Sequence, residues 1–120
     1  MITHRRIEDN GDATTTYDIE INTAISFEDL FNHVMSNEKF FSIDFYIENK
    51  EFETYCFGNK VVVGKDRKSN ERYFCDRDSK HLYNNIKKFL IKKCWANGGY
   101  GQIKYFVTFF RKGEENEVIN

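Results

Sequence analysis

The chain contains no proline, only three cysteines and no long apolar run. Without proline there is no Pro-rich linker to divide its 120 residues, a length that suits one domain. Cys56, Cys75 and Cys94 are odd in number and share no motif spacing. A disulfide framework is therefore not expected, and reduced thiols in a cytoplasm are. No stretch approaches the roughly 18 apolar residues of a membrane span. Met1-Ile2-Thr3-His4-Arg5-Arg6 carries charge with no apolar run behind it, which does not read as a signal peptide. A cytoplasmic protein without membrane contact is the expectation.

Aromatic residues, by contrast, are plentiful. Twelve Phe and seven Tyr bring the aromatic share to 17%. Rings of this size let a small chain bury enough apolar area for one core. Abundant Asn, Lys, Ile, Phe and Tyr beside absent proline match the codon usage of AT-rich genomes, including phages and mobile elements. Charge is unevenly placed. Residues 1–59 hold four Lys/Arg against twelve Asp/Glu, whereas residues 60–112 hold fourteen against four. Residues 113–120 form an acidic tail. Such asymmetry between halves points to a charged partner.

Hydrophobic spacing divides the chain into elements. Residues 1–14 are polar and read as a flexible N-terminal arm or a frayed edge strand. Tyr17, Ile19 and Ile21 alternate with polar residues, the mark of a half-buried strand. Ser26, with Asp29 three residues on, opens a helix whose stripe is Phe27, Leu30, Phe31, Val34 and Met35. Phe41, Ile43, Phe45 and Ile47 predict a strand, residues 51–57 its hairpin partner, and Val61-Val62-Val63 and residues 71–75 two more. Asp78 or Ser79 is the expected cap of a second helix reaching Cys94, with Leu82, Tyr83, Ile86, Phe89, Leu90 and Cys94 on one face. Asn97-Gly98-Gly99 stops it, and residues 102–110 form the last strand. Both faces of that strand are apolar, which implies a central position or burial in a homo-oligomer. The expectation is a single α+β domain over residues 15–112. It has two layers, a mainly antiparallel sheet with two helices on one face, in the order β-α-β-β-β-β-α-β.

Three groups of residues are candidates for function. Lys80, Lys87, Lys88 and Lys92 on the second helix, with Lys65, Arg67, Lys68 and Arg72 before it, form a basic loop-helix surface suited to phosphate if they share a face. Solvated lysines pairing with the acidic half are the plainer account of the same residues. Trp95 to Gln102 holds three glycines and two rings. It reads as a helix stop followed by a tight strand entry, with Trp95 and Tyr100 as partner anchors if the segment binds. Tyr46, Tyr55, Tyr73, Tyr105, Phe106 and Phe110 fall in strands, and rings on an open sheet face stack bases or bind protein. The same rings also supply bulk to a small core.

In element order, residues 26–94 resemble the double-stranded-RNA-binding domain. The resemblance implies a phosphate-gripping start to the second helix. Where that family has Lys-Lys-x-Ala-Lys, this chain has Ser79-Lys80-His81-Leu82-Tyr83, with one lysine.

No cofactor is expected. Cys56, Cys75, His81 and Cys94 lack any paired metal-ligand spacing. The leading expectation is a small non-enzymatic binding or inhibitory module, an anti-defence-like accessory protein of a phage or mobile element. Its partner is an anionic macromolecule, either a nucleic acid or an acidic protein surface on a nucleic-acid-handling protein. Two alternatives stay open. One is a toxin-immunity type that meets a single protein through Glu48, Glu51 and Glu53. The other is a small nuclease using His81 as general base.

Overall fold

The structure, a computed structural model, describes residues 2–37, 39–48 and 59–111. Strands β1 (Ile2–Asp9) and β2 (Thr15–Ile21) are followed by helix α1 (Phe27–Asn37). Then come β3 (Ser42–Glu48), β4 (Lys60–Lys65), β5 (Arg72–Phe74), α2 (Arg77–Ile86), β6 (Ile91–Gly99) and β7 (Gln102–Phe109). All seven strands share one sheet in the order β1-β2-β6-β7-β3-β4-β5. Every neighbouring pair is antiparallel except β3 and β7. This is the expected mainly antiparallel α+β fold with two helices.

Both helices serve as crossovers. α1 carries the chain from β2 to β3, across the positions of β6 and β7, and α2 returns it from the far edge to β6. The apolar stripe of α1 buries Phe27, Leu30 and Val34. Ser26 caps it, its hydroxyl accepting from the Asp29 N–H at 3.2 Å. Beneath the helices lie Ile43, Phe45 and Ile47 of β3, Val61 and Val63 of β4, and Ile103, Tyr105, Val107 and Phe109 of β7, all buried. β7 stands fourth of the seven described strands, the central position expected of it.

Four local readings are corrected. The second helix ends at Ile86, not near Cys94, and residues 91–99 are strand β6. A bulge between Ile91 and Lys93 places Lys92 and Lys93 together on the outside, so buried Ile91 and Cys94 fall three residues apart and imitate helical spacing. The cap of α2 is Asp76, whose carboxylate accepts from the Ser79 N–H at 2.6 Å. Ser79 is instead buried, and its hydroxyl accepts from the Val62 N–H. Of the two readings of the N-terminal residues, the edge strand holds for residues 2–9, which pair with β2 along their length with a bulge at Ile7, and the flexible arm does not. With β1 and β6 added, the element order is β-β-α-β-β-β-α-β-β, and the segment likened to an RNA-binding domain ends inside β6. The strand expected over residues 51–57 lies outside the described residues.

α2 ends against the start of α1. The carbonyls of Lys87 and Phe89 accept from the N–H groups of Glu28 and Phe27, each at 2.8 Å. One helix end thereby satisfies orphan donors of the other.

Candidate binding surface at the loop end of the sheet

The face of the sheet away from the helices has no covering layer among the described residues. Strand register aligns one row across it. Arg5 pairs with Asp18, Asp18 with Trp95, Trp95 with Phe106, Phe106 with Tyr46, and Tyr46 with Lys60. The three rings of this row stack. Trp95 and Phe106 lie 4.0 Å apart at 10°, and Tyr46 and Phe106 5.2 Å apart at 12°. Lys60 closes the Tyr46 end with its ammonium 5.5 Å from the ring, 3.5 Å from the Asp44 carboxylate. Burial lowers the Lys60 pKa, but the charge of Asp44 and then Tyr46 outweighs it, so the net shift is upward. At the other end Arg5 bonds Asp18 at 2.8 Å and Glu20 at 3.2 Å. The row presents ring edges, not ring faces, to solvent.

The expected basic surface is split in two. Lys65 and Arg72 pair with each other at the end of the sheet where β7 begins, and Arg67 and Lys68 belong to the turn between them. Lys87 is the C-terminal cap of α2, Lys88 follows it, and Lys92 sits in the β6 bulge, at the end where β7 finishes. Seven residue steps of about 3.3 Å put roughly 20 Å between these ends. Lys80 projects from α2. The basic helix was an artefact of its overextended length.

Within the 65–72 group, Arg67 meets an exposed ring, and two more exposed rings stand at the same end of the sheet. Phe41 enters β3 beside the β6–β7 turn, and its N–H donates to the Gly101 carbonyl at 2.8 Å. Arg67 places its guanidinium 5.2 Å from the centre of the Phe41 ring. Tyr73 pairs with Gly64, and Gly64 with Ser42, so Tyr73 stands on the open face at the same end. Tyr100 occupies the β6–β7 turn. Phe41, Tyr73 and Tyr100 are 50%, 53% and 78% exposed, three of the five exposed large apolar side chains among the described residues.

These groups are held rather than loose. Tyr100 and Gly101 both have positive φ, 55° and 76°, as the two-residue turn of a tight hairpin requires. The segment is therefore a hairpin turn and not a helix stop, and the Tyr100 hydroxyl donates to the Asp12 carbonyl. The β4–β5 turn is equally ordered. Asp66 accepts from the Lys68 N–H at 2.7 Å and the Ser69 N–H at 3.1 Å, and its own N–H donates to Glu71. Those bonds, Ser69 before Lys68, hold the Asp66 carboxyl below its ordinary pKa. Asn70, at φ 64°, turns the chain back into β5. Arg67 and Lys68 thus project from a fixed frame, and among the described residues neither has a carboxylate within ion-pair distance.

The remaining candidates fall elsewhere. Trp95 belongs to the stacked row. Tyr105 is fully buried on the helix side, with its hydroxyl 2.8 Å from His4 Nε2. Phe110 follows β7, half-buried. Tyr55, Cys56, Glu51 and Glu53 lie outside the described residues, as does the side chain of Glu48. His81 is exposed on α2, where Arg77 Nε donates to its Nε2 at 3.0 Å. Cys94 is buried on the helix side, and burial, with a smaller push from Asp18, drives its thiol pKa far up. Burial first, then Asp44 and Asp76, also raises the Cys75 thiol, which keeps it in the less nucleophilic form. No cluster of three or more metal-ligating side chains occurs among the described residues. No helix among them is long and apolar enough to cross a membrane.

Sequence reasoning missed Phe41, assigned to the strand interior by its alternation with Ile43. It also named Tyr73 only as one strand ring among six. The Gly64–Tyr73 pairing that sets this ring apart has no signal in local spacing. Comparison with protein-family models, with characterised proteins and with solved structures gives no match.

Proposed function

We propose that the protein is a non-catalytic binding module that holds a nucleic acid at the loop end of its sheet. The observation that carries this reading is the contact of Arg67 with the exposed Phe41 ring, on an ordered turn that also carries Lys68, at the end of the sheet where Tyr73 and Tyr100 are exposed. Cations there attract phosphate, and release of condensed counterions adds to affinity. Exposed rings supply the apolar contact that charge alone lacks. Among the described residues no carboxylate pairs with Arg67 or Lys68, and three of the four ion pairs lie within the acidic half, between Arg5 or Arg6 and nearby carboxylates.

Fluorescence anisotropy with labelled RNA and DNA, at low and physiological salt, tests the reading. Binding is expected to weaken with salt. Charge reversal at both Arg67 and Lys68 is expected to reduce affinity at least about tenfold at low salt, with a salt slope shallower by roughly two. Reversal at Lys88 and Lys92, at the other end, is expected to leave affinity within about twofold. Equal losses from both reversals would mean diffuse attraction rather than a site. No binding to any oligonucleotide at low salt would overturn the reading and recast Phe41, Arg67 and Tyr100 as protein contacts.

A further inference from the structure

We infer that the loop-end site selects unpaired bases, with Tyr73 as a stacking platform held flat by Gly64. This rests on the nucleic-acid reading above and names the form of nucleic acid that the site takes.

Stacking a base requires a ring with a free face. Phe106 lies between two rings and Tyr46 between a ring and Lys60, while Trp95 lies against Phe106 on one side and stands beside Asp18 on the other. Tyr73 is placed differently. A methyl added at Gly64 would come within 2.7 Å of its Cζ, 2.8 Å of its hydroxyl and 3.0 Å of Cε2. The outer half of the ring therefore lies down over the glycine, in the space a side chain would otherwise fill. β5 is the last strand of the sheet among the described residues, and Tyr73 stays 53% exposed. One ring face rests on backbone and the opposite face meets solvent.

The second stacking element is Phe41 with Arg67. Their cation–π contact sets a planar guanidinium near an exposed ring, and either plane accepts a base. The β3 and β5 strand lines are two spacings apart, about 10 Å, which is about three steps of a stacked strand at roughly 3.4 Å each. Lys68, in the same turn as Arg67, adds charge for the backbone. A duplex presents base faces only at its ends, since all others are stacked internally. An unpaired strand presents every base, so this arrangement favours single strands.

The test uses the full chain and three labelled probes: a short oligothymidylate, the same backbone with abasic residues, and a duplex of equal length. The oligothymidylate is expected to bind roughly tenfold more tightly than either of the others. Tyr73→Leu should bring it to the abasic level without changing the salt slope, while Tyr73→Trp should retain preference. Gly64→Ala removes neither ring nor charge but lifts Tyr73 off the sheet, and a comparable loss of preference is expected. Thermal unfolding of each variant separates this from loss of fold, and Tyr73→Leu alters only an exposed side chain. Equal binding of thymidylate and abasic strands, or an indifferent Tyr73→Leu, would overturn the inference. If sensitivity to Arg67 and Lys68 reversal persisted in that case, the broader nucleic-acid reading would stand. Absence of binding to all probes would overturn both.

Discussion

The two faces of the sheet use aromatic residues differently. On the covered face ring angles are mixed: Phe27 lies at 86° to Phe45 and 88° to Phe109, while Phe31 stacks on Phe74 at 14° and Phe45 on Tyr105 at 21°. On the open face, Trp95, Phe106 and Tyr46 lie nearly parallel. The reason is geometric. Helix rings meet the sheet from above and at varied angles, whereas open-face rings stand side by side on adjacent strands with no described layer above them. Both arrangements suit the ring quadrupole. Only the first removes whole rings from water. The second stiffens the sheet but occupies the ring faces, which leaves Tyr73 over Gly64 as the exception.

The largest effect separating these faces is expected from Phe27→Ala. Phe27 is fully buried and touches Phe31, Phe45, Tyr83 and Phe109. Its loss should lower stability by about 3–5 kcal/mol in urea unfolding. Phe106→Ala, at the centre of the half-buried row, should lower it by about 2 kcal/mol. A loss at Phe106 as large as that at Phe27 would break the comparison, because the open face would then behave as a second core.

A smaller effect concerns the α2 cap. The Ser79 N–H bond holds the Asp76 carboxyl below its ordinary pKa, helped by the Ser79 side chain. The resulting stability is complete above the unfolded-state pKa and is lost as pH falls through the lower folded value. Asp76→Asn should keep most of the cap at neutral pH and remove its share of acid sensitivity, and Asp76→Ala should lose the cap at every pH. Thermal melts from pH 7 downward read both. An Asp76→Asn protein as acid-labile as the parent would assign the sensitivity to other carboxylates.

The smallest effect is expected at the end of the open-face row. Lys60→Met removes an ion pair to Asp44 and a cation–π contact in a partly exposed setting, so the change in stability should stay within about 1 kcal/mol. A greater loss would mean that the row transmits strain along its length.

Much of the fold was legible because period and capping are local. α1 announced itself through Ser26 and the Phe27–Val34 stripe, and β3 through strict alternation. β6 did not, because its bulge spaced Ile91 and Cys94 like a helix turn. β1 did not either, because an edge strand with a bulge and few apolar residues resembles an unstructured arm. At the candidate site, Arg67, Lys68 and Tyr100 were legible as charge and turn chemistry. Phe41 was not, and neither was the special position of Tyr73.

By itself the sequence determined an α+β chain, one helix and most strands, and an acidic half preceding a basic one. These follow from side-chain spacing and composition, which act over a few residues. Tertiary structure alone decided that β3 joins β7 in parallel, that Tyr46 meets Phe106, that the lysines divide between two ends, and that Tyr73 lies on Gly64. Alternation says that a side chain points up or down from its strand. Which strand stands next to it depends on how the helices carry the chain across the sheet, and that is set by the burial of the whole core.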